Sequence, residues 1–450
     1  VKGRKQPLVS VSGIRGIVGE SLTPEIITTY VSAFARLIKK GTVAVGRDTR
    51  PSGEAIENLV VGNLLAAGID VLTLGIVPTP TLAMAILEKK LAGGVMATAS
   101  HNPAPWNALK FFRSDSTFLT PKEVEKLKAL VKSTGDWKKF DQLGKKDKWG
   151  TAVDSHIEKI LALSLVNKEM VASRRFKVVV DCVNGAGYSA LPLLLEKLGC
   201  NVVGLNTTPN GLFPHSPEPV PENLAQLEVK VREVGADLGM AVDPDADRLA
   251  LVSEKGKAVG EEYTLVLAAD YVLSRMPGPV VINLSTSQMN AEVAKKYSQS
   301  CYRTPVGEAH VSLGLKKYKG VIGGEGNGGV MLPSLHPGRD ALVGAALVLS
   351  HLAISGKTLG ELVDSLPKFT LIKTKGTLSA KVDIKGKLRK IEKMHSKGRK
   401  DKRDGLWVGL PEGWFQIRLS NTEPVWRLAV EGKSSWAEAK SISLKKLLTR

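Results

Sequence analysis

Cysteine is scarce. The 450-residue chain has three, Cys182, Cys200 and Cys301, an odd number with no C-x-x-C spacing. That excludes a disulfide framework and points to buried thiols in a reducing, cytoplasmic setting. No apolar run approaches the roughly 18 residues of a membrane span. The basic start, residues 1–5, leads into no long apolar region, so no secretory signal is expected. The pattern G-x-S-x-G is absent, so a hydrolase elbow is not supported. Acidic residues are in deficit: 44 Asp and Glu face 63 Lys and Arg, a formal net charge of +19. Such an excess points to anionic partners, whether phosphorylated small molecules, nucleic acid or a membrane surface. The densest basic tract, residues 384–403, reads as a helix with a solvated basic face followed by a basic loop. Without interleaved aromatics it lacks a stacking platform, which argues against nucleic acid.

What is present is ordinary for a globular protein, with 43% hydrophobic and 24% charged residues. Length alone suggests about three domains. Strand and helix signals alternate through residues 1–150, 151–255 and 256–365, each a repeating unit of strand, glycine turn and helix. This order predicts three similar consecutive α/β domains with mixed, mainly parallel sheets. One helix start is explicit: Thr23 as cap, Pro24 in the first turn, then Glu25. Residues 366–450 carry alternating strand patterns and read as a smaller α+β domain.

Four stretches carry chemistry. Thr98-Ala99-Ser100-His101-Asn102-Pro103 follows the apolar run 93–97, placing a serine in a polar turn where a buried strand ends. Strand ends in α/β sheets are where ligands bind. Asp243, Asp245 and Asp247 alternate, and extended backbone would put all three on one side. Three such carboxylates repel unless a cation sits among them, and hard oxygen ligands suit Mg²⁺. A calcium EF-hand fails, because Arg248 stands where that loop needs glycine. Gly324 to Gly329 fits G-x-G-x-x-G, but Pro333 follows and no helix opens. Gly185-x-Gly187-x-x-Ala190 follows a strand and opens a helix, which keeps an NAD-dependent oxidoreductase as an alternative; the next strand, however, ends at Asn206 with no acid for a ribose. Finally, Arg418, Ser420, Asn421, Thr422 and Arg427 gather guanidiniums, hydroxyls and an amide around one turn, the side chains of a phosphate cradle.

In this order the four stretches resemble the α-D-phosphohexomutase superfamily, with its phosphoglucomutases, phosphomannomutases and phosphoglucosamine mutases. The resemblance spans nearly the whole chain and implies that all four loops meet in a central cleft. It implies that Ser100 carries a phosphoryl group, that Mg²⁺ is held by Asp243, Asp245, Asp247 and the serine phosphate, and that a hexose 6-phosphate and 1-phosphate interconvert through a bisphosphate. Arg15 and Lys110 match positions proposed to move the hydroxyl proton, and neighbouring cations are expected to lower the Lys110 pKa. His101 and Arg248 match supports of the reacting phosphate. Glu325 and Asn327 match readers of sugar hydroxyls. Asn327 stands where many relatives have serine, which favours an amino or acetamido sugar. Glucosamine phosphate is therefore the expected substrate, with mannose or glucose phosphate as the alternative.

Overall fold

The computed structural model describes residues 6–133, 135, 137–377, 383–419 and 425–449. Among these, four separate sheets form. The first has seven strands, in spatial order Leu8–Ser10, Gly13–Ile17, Trp106–Arg113, Gly93–Ala97, Thr42–Arg47, Asp70–Ile76 and Lys146–Lys148. The second runs Leu249–Ser253, Leu238–Val242, Lys177–Asp181, Asn201–Leu205, and the third Cys301–Thr304, Val280–Asn283, Ile322–Glu325, Gly329–Met331.

One topology underlies all three. Numbering the four central strands of each by their order in the chain, each sheet reads 4-3-1-2. Strands 1, 2 and 3 are parallel, and strand 4 returns antiparallel to strand 3. The connections between strands 3 and 4 are too short for a helical crossover, so the chain must reverse there. Those three reversals are residues 98–105, 243–248 and 326–328, the stretches singled out as chemical.

The fourth sheet is antiparallel: Thr370–Thr377, Val425–Gly432, Gly413–Leu419, Leu406–Leu410 and Arg399–Asp401. The helix Ser434–Thr449 packs against it. The basic tract forms the helix Ile384–Met394, which buries Ile391 and leaves most of its charges in solvent.

Several elements depart from the sequence reading. The chain opens on two short antiparallel strands, Leu8–Ser10 and Gly13–Ile17, joined by a turn after which Gly13 has a positive φ of 122°. The helix Glu308–Tyr318 was not foreseen. The run Asp243–Arg248 is not extended: Ala246 is left-handed (φ 51°), and a turn rather than strand alternation gathers the carboxylates. The Thr23 cap forms as expected, accepting from the Ile26 N–H.

The second and third sheets share one apolar core. The helices Ala341–Ser355 and Glu261–Arg275 cross it side by side, almost wholly buried. Asp340 caps the first of these helices, accepting from the Leu342 and Val343 amides at 2.8 and 3.3 Å. Its other oxygen takes His156 Nε2 at 3.0 Å and His336 Nε2 at 3.3 Å. The Gly338 N–H donates to His336 Nδ1, so the His336 proton lies on Nε2 and points at the carboxylate. These three side chains could be mistaken for a metal triad, but that tautomer makes the group a hydrogen-bonded hub.

Burial pushes the Asp340 carboxyl upward; the two imidazoles outweigh it and hold its pKa well below the usual range. A depressed carboxylate contributes stability at pH values above its unfolded pKa and loses it as pH falls. Asp340→Asn keeps a cap acceptor but sets an amide N–H₂ against imidazole donors. We expect a loss of roughly 3 kcal/mol at pH 7, shrinking below about pH 4, measured by denaturant unfolding across pH. A pH-independent difference would contradict this account.

Candidate active site

Ser100 sits at the first reversal with a left-handed backbone (φ 49°), only 3% exposed. Strain of that kind persists only where the surroundings enforce it. Here Arg50 does so. Wholly buried, it donates to the carbonyls of Ser100 (2.6 Å), Asn102 (2.7 Å), Pro103 (2.9 Å) and Trp106 (3.0 Å). Asp48 fixes Arg50 by an ion pair of 3.1 Å and accepts from Thr98 Oγ1 at 2.6 Å. Neither residue was anticipated, because an arginine's burial in a loop leaves no pattern in the sequence. Ser100 Oγ donates to Asp243 Oδ2 at 2.6 Å and lies 3.3 Å from His101 Nδ1. Arg15 donates to Asn102 Oδ1 at 2.7 Å, on the open side of the same loop.

Asp243, Asp245 and Asp247 each offer an oxygen within 4.8 Å of the others, and all three are buried. Asp245 Oδ1 and Asp247 Oδ1 have no hydrogen-bond partner. Buried carboxylate oxygens without donors are costly, and a hard divalent cation would satisfy them, so this donor set fits such an ion. The remaining oxygens are committed. Asp243 Oδ1 accepts the Asp247 and Arg248 amides, and Asp245 Oδ2 accepts Thr79 Oγ1 at 2.5 Å and Lys110 Nζ at 2.6 Å.

The protonation of the group follows from those contacts. Burial, then Asp247 and Asp245, push the Asp243 pKa well up. For Asp245 burial acts upward too, but Lys110 and the Thr79 hydroxyl outweigh it and hold the carboxyl low. Lys110 was expected to be lowered by nearby cations. The structure shows the opposite: burial favours the neutral amine, yet Asp245 and Asp247 prevail and raise the pKa. His101 is lowered well below its usual value, by burial first and then by Arg248, Arg15 and Arg339, so its imidazole is neutral.

At the third reversal Gly326 packs against the end of the Glu262 side chain, which a Cβ there would displace, since it would lie 2.0 Å from Glu262 Oε1. Glu325 accepts from Asn283 Nδ2 (2.9 Å) and the Gly307 amide (3.0 Å). Asn327 Oδ1 accepts the Gly329 amide at 3.2 Å. Arg339 was not anticipated. It reaches Asp247 at 2.7 Å, Glu308 at 3.0 Å and Glu325 at 3.3 Å, tying the second reversal to the third.

Glu325, Asn327, Arg418 and Arg427 line a cavity of about 370 Å³ between the third and fourth sheets. Arg427 also lines the adjoining cavity of about 360 Å³, with Arg15, His101 and Lys110. The two are therefore halves of one cleft. Arg248 borders a third lobe and lies 3.5 Å from Glu218. Ser420, Asn421 and Thr422 lie outside the described residues.

The glycine turn that suggested a dinucleotide has another use. A Cβ on Gly185 would lie 2.6 Å from Pro244 Cα, and the Ala186 amide donates to Pro244 O at 2.7 Å. The turn is filled by the Asp243–Arg248 loop, with no room for a pyrophosphate, so the oxidoreductase reading is not supported.

Known proteins share this arrangement. Family models match in sequence order: phosphoglucomutase/phosphomannomutase alpha/beta/alpha domain I at residues 7–136, domain II at 154–256, domain III at 260–369 and the C-terminal domain at 380–444. A Methanopyrus kandleri protein named "Probable phosphoglucosamine mutase" is 36% identical over 428 residues, 94% of this chain and 93% of the relative. A Thermococcus kodakarensis protein named "Phosphoglucomutase/phosphomannomutase" is 37% identical over 440 residues, 95% of each. A solved phosphoglucomutase/phosphomannomutase family protein from Burkholderia thailandensis superposes with a TM-score of 0.86 at 27% identity, covering 98% of this chain and 96% of that one. Two kinds of observation, repeated sheets whose reversals converge on one cleft and matches along nearly the whole length, place the chain in the phosphoglucomutase/phosphomannomutase family of phosphohexomutases, isomerases that move a phosphoryl group within a sugar phosphate.

Proposed function

We propose that the chain interconverts hexose 6-phosphate and hexose 1-phosphate with Ser100 as the phosphoryl carrier, and that glucosamine phosphate is its substrate. The observation that carries the reading is Ser100 Oγ, 2.6 Å from Asp243 in a strained, buried turn beside two buried carboxylate oxygens that accept no hydrogen bond. Mg²⁺ would be held by Asp243, Asp245, Asp247 and the serine phosphate, and would neutralise charge on the transferring group.

In the first half-reaction the Oγ–P bond of phosphoserine breaks as a bond forms from phosphorus to the free sugar hydroxyl. The hydroxyl proton ends on Ser100 Oγ. The second half-reaction reverses this at the other end of the bisphosphate, returning phosphate to Ser100 and the proton to the sugar. Neutral His101, 3.3 Å from Oγ, is placed to pass that proton. Lys110, held charged by its aspartates, serves with Arg15 and Arg248 to offset charge on the phosphoryl oxygens. Arg418 and Arg427, with Ser420, Asn421 and Thr422, grip the phosphate that is not reacting.

For the sugar, Glu325 is an anionic acceptor suited to an ammonium. Asn327 is expected to read a sugar hydroxyl: its Oδ1 accepts the Gly329 amide, and its N–H₂ would meet a sugar oxygen. The name of the Methanopyrus relative supports glucosamine, and that of the Thermococcus relative favours mannose or glucose. A mutase assay across glucosamine, glucose and mannose phosphates decides between them.

Purified protein should carry phosphate on Ser100 in part of the population, and Ser100→Ala should lose nearly all turnover. Peptide mass analysis locating the phosphate elsewhere, with an active Ser100→Ala, would sink the assignment. Chelation followed by dialysis should abolish activity and Mg²⁺ restore it. Ca²⁺ should bind yet support little turnover, since its looser coordination aligns the reacting group less well. Arg339→Met strips a buried charge from three carboxylates. Removing one partner of a buried pair costs about 3–5 kcal/mol of stability, and with Asp247 and Glu325 displaced kcat/KM should fall about a hundredfold. Steady-state kinetics near wild type would show that Arg339 does not set the position of Asp247 and Glu325.

A further inference from the structure

The cleft-facing side of the fourth sheet is organised in rows. Residues paired directly across neighbouring strands share a face. The first row is Leu371, Glu431 and Trp414; the second is Lys373, Ala429 and Gln416; the third is Lys375, Arg427 and Arg418. The first row docks the sheet on its neighbour. Glu431 accepts from the Ser287 hydroxyl, from the Gln288 amide at 2.7 Å and from Trp414 Nε1 at 2.5 Å. The second row spans to the third reversal. Lys373 donates to Gly326 O at 2.9 Å and pairs with Glu262 at 2.8 Å and Glu261 at 3.2 Å.

The third row consists of three cations abreast, all lining the 370 Å³ cavity that also holds Glu325 and Asn327. Like charges directly opposed on a sheet face destabilise it. At Arg418 burial lowers the pKa first, the Asp404 carboxylate raises it, Arg427 lowers it again and Glu325 acts upward. A row of this kind is tolerable where an anion neutralises it.

We propose that Lys375 is a third cation of the phosphate seat, closing the row Lys375–Arg427–Arg418 around the phosphate remote from Ser100. Lys375 belongs to none of the four sequence stretches that drew attention. It lies on the strand Thr370–Thr377, between the residues matched by the third and fourth family domains. The second and third rows together set a distance. Lys373 holds the backbone of the sugar-reading loop, and two residues along the same strand Lys375 meets the phosphate. The spacing, about 7 Å of extended strand, fixes how far the gripped phosphate lies from the groups that read the ring. The inference deepens the mutase reading and rests on it for the identity of the ligand, a sugar phosphodianion.

The test uses Lys375→Met and Lys375→Arg in the full chain, with inorganic phosphate as the binding probe and the assayed hexose phosphate as substrate. Thermal unfolding is measured with and without phosphate. Removing one of three mutually repelling cations should leave the ligand-free Tm unchanged or raised, while the Tm increase produced by phosphate shrinks. KM should rise about tenfold, the scale of one charge-assisted hydrogen bond, with kcat within threefold, and Lys375→Arg should restore most of the loss. A phosphate-induced shift and KM equal to wild type in Lys375→Met would overturn the proposal. So would a fall in ligand-free Tm with the phosphate shift intact, which marks a purely structural lysine. Failure of the mutase reading looks different: wild type itself would show no turnover on any hexose phosphate, whatever Lys375→Met did to phosphate binding.

Discussion

The ion pair between Lys110 and Asp245 is the contact on which the architecture turns. It joins the first sheet to the second at 2.6 Å, with Asp245 wholly buried and Lys110 nearly so. A buried pair of this kind offsets its desolvation only with near-ideal geometry and further hydrogen bonds. Thr79 supplies one of those bonds, Asp247 shares the ammonium at 3.4 Å, and Arg339 balances Asp247 from the third unit. A dense patch of opposite charge is thus stabilised by groups from three units, none of which could build it alone. Two oxygens remain unsatisfied, and the chemistry is concentrated around them.

The means of assembly is a repeat. Each of the first three units ends its parallel run and reverses into an antiparallel strand, and each reversal has been given a different composition. The first presents a strained serine, the second three carboxylates, the third a carboxylate and an amide. Because the reversals are equivalent positions of one topology, turning three such units toward a common centre brings unlike chemistry together without special loops. The fourth sheet, with another topology, supplies the positive end of the cleft.

Much of this was legible in the chain. The recurring strand, glycine turn and helix pointed to repeated α/β units, and the four chemical stretches stood out by composition. What was legible only in part was geometry. The spacing of Asp243, Asp245 and Asp247 suggested a cation for the wrong reason, since a left-handed Ala246 and not strand alternation brings them together. The charge state of Lys110 depended on which neighbours lay nearest, and sequence could not show that carboxylates would be closer than guanidiniums. Arg50, Arg339 and Lys373 escaped notice because their partners lie far away in the chain; Arg50 meets the Ser100 carbonyl across 50 residues, Arg339 meets Asp247 across 92, and Lys373 meets the Gly326 carbonyl across 47.

The core shared by the second and third sheets has a mechanical corollary. Sliding one of these sheets over the other would open an apolar seam filled by the helices Glu261–Arg275 and Ala341–Ser355, so the pair behaves as a single stiff chassis. The first unit has two apolar clusters, one of which takes in Ala152 and Val153 of the second unit and Ala309 of the third, and the fourth unit meets the third where Leu284 packs with Trp407, Trp414 and Ala429. The flanking units are thus fastened to the chassis by small apolar contacts and buried ion pairs rather than by a core of shared helices. Ser100 is carried by the first unit and Arg418 and Arg427 by the fourth, while Asp243, Asp245, Asp247 and Glu325 stand on the chassis. Those four carboxylates thus keep a common spacing that the shared apolar packing sets.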